Sequence, residues 1–128
     1  MRLLVVEDEV VVGLYLQEEL QDAGFSVTVR EDAESALGAL REETDETFDA
    51  AIVDVALPGV SGLEFVRQCR QADPAFPIVL TSGLDEDLLK AQFASDARAR
   101  ILIKPYLGSA LLACLQELGV VSNLRPGP

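Results

Sequence analysis

The chain has 128 residues, with 22 Asp or Glu, 10 Lys or Arg and no His, giving a formal net charge of −12. Ten scattered basic residues exclude a nucleic-acid surface, which needs Lys and Arg clustered against phosphates. No apolar run is long enough to span a bilayer, and the N-terminal residues run into acids rather than a cleavage site, so a cytoplasmic protein with a single core is expected.

Short apolar runs alternate five times with amphipathic stretches, the pattern of a parallel sheet with crossover helices. The first strand is predicted at 3–6 and gives way to Glu7, Asp8 and Glu9. Asp8 suits an N-cap and Glu9 a first-turn position, but neither role explains Glu7. A helix follows over 10–23, ending at Gly24, with Val12, Leu16, Leu20 and Ala23 towards the sheet. Val10, Val11, Leu14 and Tyr15 widen its apolar arc beyond one core stripe, which fits either a docking patch or a deeply buried helix.

The second strand is predicted at 25–29 and the second helix at 33–43, with Ala36, Leu37 and Leu40 inward. A solvated acidic loop leads to a third strand at 48–53, a small and β-branched run that reads as buried on both faces. It ends in Asp54, followed by Pro58-Gly59 as a loop signal. The third helix is placed at 62–71 with Leu63, Val66 and Cys69 on one side. The fourth strand, 78–80, ends in Thr81-Ser82-Gly83, and Asp85 caps a fourth helix running to about 94. A fifth strand at 100–103 ends in Lys104-Pro105-Tyr106, and a last helix at 107–118 repeats Leu107, Ala110, Leu111, Cys114, Leu115 and Leu118. The domain is set at 1–119, and 120–128, with its Pro-Gly-Pro ending, as a flexible tail. Cys69 and Cys114, with no CxxC and no His, read as small core residues.

In a parallel sheet the strand ends share one edge. That edge collects Glu7, Asp8 and Asp54, a hydroxyl from Thr81 or Ser82, and Lys104. Three converging carboxylates repel unless a cation lies among them, and hard oxygen donors suit Mg²⁺. Carboxylates, Mg²⁺ and Lys are equipment for phosphoryl transfer, with Asp54 as the nucleophile.

The ordered set Val6-Glu7-Asp8-Glu9, Val53-Asp54, Leu57-Pro58-Gly59 with Gly62, Thr81-Ser82-Gly83 and Lys104-Pro105-Tyr106 resembles the receiver domain of two-component response regulators, from residue 2 to about 118. The resemblance implies a flavodoxin-like (βα)₅ fold with strand order 2-1-3-4-5. It implies that Asp54 accepts a phosphoryl group from a phosphohistidine on a kinase or phosphotransfer protein. It implies further that Glu7, Asp8, Asp54 and the Ala56 carbonyl bind Mg²⁺, that Lys104 pairs with phosphoryl oxygens, and that the Lys104–Pro105 bond is cis. Ser82 lies 22 positions before Lys104, the separation usual for the family's switch hydroxyl, and Thr81 is the other candidate.

The chain departs from the family pattern in two places. Ile101 stands where an aromatic ring usually swings, and Gly13 where Arg is common. In family members the positions held here by Ala56 and Leu84 flank the approach of water to the acceptor, and both residues are apolar, so the resemblance implies a long-lived acyl phosphate. With about ten residues after the last helix, a stand-alone receiver that signals by protein binding, or serves as a phosphate shuttle or sink, is the expectation. The partner helix carrying the histidine would meet Val10, Val11, Leu14 and Tyr15. The alternatives are a phosphorylation-independent module of the same fold and a haloacid-dehalogenase-like phosphatase, whose second acid would fall at Ala56.

Overall fold

In the computed structural model, which describes residues 1–42, 47–56, 61–83 and 86–121 (Glu86 by its backbone alone), strands and helices alternate along the chain. The strands are β1 (Arg2–Val6), β2 (Ser26–Arg30), β3 (Ala50–Asp54), β4 (Ile78–Ser82) and β5 (Ala99–Ile103). The helices are α1 (Val10–Asp22), α2 (Ala33–Arg41), α3 (Gly62–Ala72), α4 (Glu86–Gln92) and α5 (Gly108–Glu117). All ladders are parallel and the sheet order is β2-β1-β3-β4-β5, the doubly wound order the resemblance implies.

Side chains of a strand alternate between faces, so each short apolar run must be covered twice. Leu3, Val5, Ile52 and Val79 pack under α1 and α5 against Leu16, Leu20, Leu111 and Leu115. Leu4, Val6, Val53 and Leu80 pack on the opposite face, against Ala36 of α2, Phe65 and Val66 of α3 and Leu89 of α4. Burying such side chains contributes roughly 1.5–3 kcal/mol each for the larger ones. Phe65 is fully buried, whereas Leu63, grouped with Val66 and Cys69 on one side of the helix from the sequence, is only partly covered. Cys69 is buried and Cys114 half-buried. Burial pushes the Cys69 thiol up to about 11, so it remains a neutral core group.

The differences from the sequence reading lie at element ends. Asp8 does not cap α1; Glu9 holds the N-cap position and makes no side-chain cap bond. Phe25 is not strand. Gly24, at φ 98°, closes α1 in a Schellman motif in which the Phe25 N–H donates to the Leu20 carbonyl at 3.0 Å, leaving β2 to begin at Ser26. The same motif ends α5. Gly119 adopts φ 80°, the Val120 N–H donates to the Leu115 carbonyl at 2.8 Å, and Val120, assigned to the tail from the sequence, is buried in the core. Leu107, counted from the sequence as the first residue of the last helix, is its exposed N-cap. Asp32 caps α2 by accepting from Ser35 N at 2.7 Å, and Ser61 caps α3 by accepting from Glu64 N at 3.2 Å. Residue 43, Leu57, Pro58, Gly59, Leu84, Asp85 and the end of the tail lie outside the described residues.

Candidate functional site

Parallel pairing decides which side chains can meet. Asp54 is the last residue of β3, in register with Thr81, and Val53 is in register with Val6, so Glu7 follows directly beside the end of β3. The Glu7 N–H is fixed by the Arg30 carbonyl at 3.0 Å, and Lys104 N donates to the Ser82 carbonyl at 2.8 Å, which anchors the lysine one strand beyond β4. Its side chain reaches back across the edge. Lys104 Nζ lies 3.1 Å from Asp54 Oδ2 and 3.5 Å from Glu7 Oε2.

Asp54 Oδ1 accepts from the Ala56 N–H at 3.0 Å, so the turn after β3 holds the carboxylate in place. The Val55 N–H donates to the Thr81 carbonyl at 2.9 Å, which makes Thr81 a brace for this turn. Thr81 and Ser82 are both almost fully buried, and strand alternation sends their side chains to opposite faces, Thr81 to the same side as Asp54. Ile101, paired with Leu80, packs into the α2–α4 side of the core.

Carboxylate oxygens of Glu7, Asp8 and Asp54 lie within 4.8 Å of one another, with Glu7 and Asp54 buried and Asp8 exposed. Among the described residues, Glu7 Oε1 is the one buried side-chain polar atom without a hydrogen-bond partner. Burial, then the charge and hydrogen bond of Asp54, push the Glu7 carboxyl up to about 7, with Lys104 opposing. Burial works against the Lys104 ammonium, yet its bonds to Asp54 and Glu7 hold it above its ordinary value. A hard divalent cation would satisfy the orphaned oxygen and the mutual repulsion at once, so the donor set fits Mg²⁺.

Sequence reasoning did not single out Tyr106 for a role. Burial and then the charges of Glu7 and Asp54 push its phenol up to about 12, and the ring lines the same cavity as Lys104. The signal was its position two residues after Lys104. Val10, Val11, Leu14 and Tyr15 are at least half exposed, which decides against the deeply buried helix. Gly13 is buried against Val29. The Lys104–Pro105 bond is cis.

A family profile described as "Response regulator receiver domain" matches residues 3–116. The chain is a response regulator receiver domain. As such it belongs to the signalling domains of two-component systems rather than to classical enzymes, which removes the phosphatase alternative. Receiver domains interact with histidine kinases or phosphotransfer proteins and generally bind Mg²⁺.

Among its relatives are the virulence transcriptional regulatory protein PhoP of Salmonella typhimurium and the transcriptional regulatory protein CusR of Escherichia coli K12. Each is 33% identical over 118 residues, or 92% of this chain and 51% of the relative. The receiver domain thus spans about half the length of the curated relatives it matches. The chemotaxis protein CheY4 of Vibrio cholerae superposes with a TM-score of 0.81 at 28% identity, covering 91% of this chain and 97% of that one. A response regulator receiver protein from Sinorhizobium medicae gives 0.78 at 27%, covering 92% and 93%. No helix among the described residues is long and apolar enough to cross a membrane.

Proposed function

We propose that this receiver domain takes a phosphoryl group onto Asp54 from a phosphohistidine of a kinase or phosphotransfer protein. A carboxylate oxygen of Asp54 attacks phosphorus, the P–N bond breaks, and its electron pair leaves with the imidazole. Glu7, Asp8, Asp54 and the Ala56 carbonyl are the residues that would hold Mg²⁺, which when bound would supply positive charge against the transferring group. Lys104 pairs with phosphoryl oxygens, and Ser82, with Thr81 as the second candidate, donates its hydroxyl to the phosphoryl group. Val10, Val11, Leu14 and Tyr15 receive the partner's helix. The transferred group changes protein binding, and the apolar Ala56 side chain offers no group to orient an attacking water, which favours a slow loss of phosphate.

The observation that carries this reading is the convergence of a fixed, buried Asp54 with Lys104 at 3.1 Å and with two further carboxylates, one of them holding an orphaned buried oxygen. Incubation with acetyl phosphate and Mg²⁺, followed by intact mass, tests it. Wild type is expected to gain one phosphoryl group that hydroxylamine removes, and Asp54→Asn to gain none. No gain in wild type would assign the domain to phosphorylation-independent binding.

A further inference from the structure

Between α1 and β2 lies a cavity of about 140 Å³. Val10, Gly13, Leu14 and Gln17 line it at i, i+3, i+4 and i+7, one face of α1, and Val29 of β2 lies across from them, with Glu7 and Glu31 completing the lining. Gly13 makes the room: it is buried, and a Cβ there would already stand 3.2 Å from Val29 Cγ1. A void of about 150 Å³ holds one benzene ring, so this space takes a single small planar group.

Glu7 gives the cavity its chemistry. It belongs to the lining although only 3% of it is exposed. Lys104 approaches Oε2 at 3.5 Å, whereas Oε1 is buried without a hydrogen-bond partner, which leaves Oε1 for a donor that enters from the cavity. Neither Asp8 nor Asp54 is part of this lining, so the cavity and the acid cluster share Glu7 alone. Among the described residues no basic side chain lines it. Two carboxylates exclude an anion, and a neutral apolar guest would leave Oε1 unpaired.

The walls select among cations. Val10, Leu14 and Val29 are apolar, so a guest must shed water to pass them. A divalent ion such as Mg²⁺ dehydrates reluctantly, and an ammonium is compact and strongly hydrated. A guanidinium is planar and more weakly hydrated, and its fork of donors can serve several acceptors at once. The lining offers the Glu7 and Glu31 carboxylates and the Gln17 side-chain carbonyl. We propose that the cavity between α1 and β2 is a binding site for one guanidinium group, carried by a small molecule or by an arginine side chain. It donates to Glu7 Oε1 inside and to Glu31, an exposed residue, at the mouth. The site is independent of the role proposed for Asp54.

The test titrates the full chain with n-butylguanidinium, and in parallel with n-butylammonium, in EDTA at constant ionic strength, and reads amide NMR spectra. The guanidinium is expected to give saturable shifts at Gly13, Val29 and Glu31 and to bind about tenfold or more tighter than the ammonium, the worth of one charge-assisted hydrogen bond. Glu7→Gln should weaken it about tenfold. Gly13→Met, which fills the cavity with a neutral side chain, should abolish it; the obstructing atom is one side-chain methyl of Val29, which can give way. Gly13→Arg carries the guanidinium on the chain itself. Arg and Met have similar helix propensities, so Gly13→Arg should melt about 3 °C or more above Gly13→Met, and the difference should vanish in a Glu7→Gln background. A capped arginine tripeptide is the second ligand: tighter binding than butylguanidinium assigns the site to arginine of a protein, weaker binding to a small molecule, and either result keeps the site. Equal affinity for the two butyl cations, shifts confined to residues outside the cavity, or binding that survives Gly13→Met overturns it. Equal melting of the two Gly13 variants also overturns it, and this comparison stands even where Glu7→Gln fails to fold.

Discussion

At Gly62 the backbone of Asp54 and Val55 and the start of α3 touch. A Cβ on Gly62 would lie 2.2 Å from the Asp54 carbonyl oxygen and 2.8 Å from Val55 Cα, and the Gly62 N–H already donates to the Val55 carbonyl at 3.2 Å. The obstructing atoms are backbone, so no rotamer change relieves the overlap; either α3 or the peptide that carries Asp54 must move. Gly62→Ala is therefore expected to cost about 3 kcal/mol in urea unfolding and to slow phosphorylation by acetyl phosphate, because the displaced peptide belongs to the acceptor. An unchanged unfolding midpoint would refute the contact. The sequence showed Gly62 only as part of a pattern, because a close approach between two backbones leaves no mark in local periodicity. The choice between Thr81 and Ser82 has the same origin: spacing from Lys104 favours Ser82, while strand register sets Thr81 opposite Asp54 and on its side of the sheet.

Between elements, the best-defined polar tie joins α3 to the segment entering β5. Arg70 grips Asp96 with two nitrogens, Nε at 2.7 Å and Nη2 at 3.2 Å, and it also donates to the Phe76 carbonyl, bridging three pieces of chain around β4. Burial pushes the Asp96 carboxyl up, but the Arg70 guanidinium and the Arg98 N–H outweigh it, and the net result lies below the ordinary value of 3.8. A carboxyl depressed in the folded state contributes stability above its unfolded pKa, and that contribution fades as pH falls through the folded value. Arg70→Ala should thus cost about 1–2 kcal/mol near pH 7, a range set by partial burial of the pair. The gap from wild type should narrow below about pH 3.8, leaving only the lost bond to Phe76. Chemical unfolding of both proteins across pH 3 to 7 checks this; a gap independent of pH would mean that the pair contributes nothing as an ion pair. Neither Arg70 nor Asp96 is marked in the sequence, since their pairing depends on the angle between α3 and the sheet rather than on spacing along the chain.

Across the whole molecule, a parallel sheet with crossover helices was legible because five apolar runs alternate with amphipathic stretches, the strand order was implied only by the resemblance to receiver domains, and Glu7, Asp54 and Lys104 were legible because parallel pairing sends every strand end to one edge. The cavity between α1 and the turn after β5 was not legible, as its two walls lie far apart in the chain, and Val120 was misplaced because Pro and Gly after it dominate the local composition. The edge itself leads to the last prediction. Concentrating Glu7, Asp8 and Asp54 within 4.8 Å loads repulsion onto a chain that already carries a charge of −12, with the single ammonium of Lys104 between the two buried acids. Folded protein should therefore bind Mg²⁺ and be stabilised by mass action, by about 2.7 kcal/mol at a hundred times the dissociation constant, since the unfolded chain does not gather the three carboxylates. Glu7→Gln removes one charge while keeping the shape, so without metal it should melt higher than wild type, by roughly 1 kcal/mol in stability. The same variant should lose most of the rise produced by Mg²⁺. Asp8→Asn, at an exposed position, should lose the Mg²⁺ response with little change in the metal-free melting point. Thermal melts with and without Mg²⁺, at constant ionic strength to remove general screening, separate these outcomes. If Glu7→Gln melts lower than wild type in the absence of metal, then Lys104 outweighs the repulsion, and the edge is a balanced ion-pair network rather than an acidic site waiting for a cation.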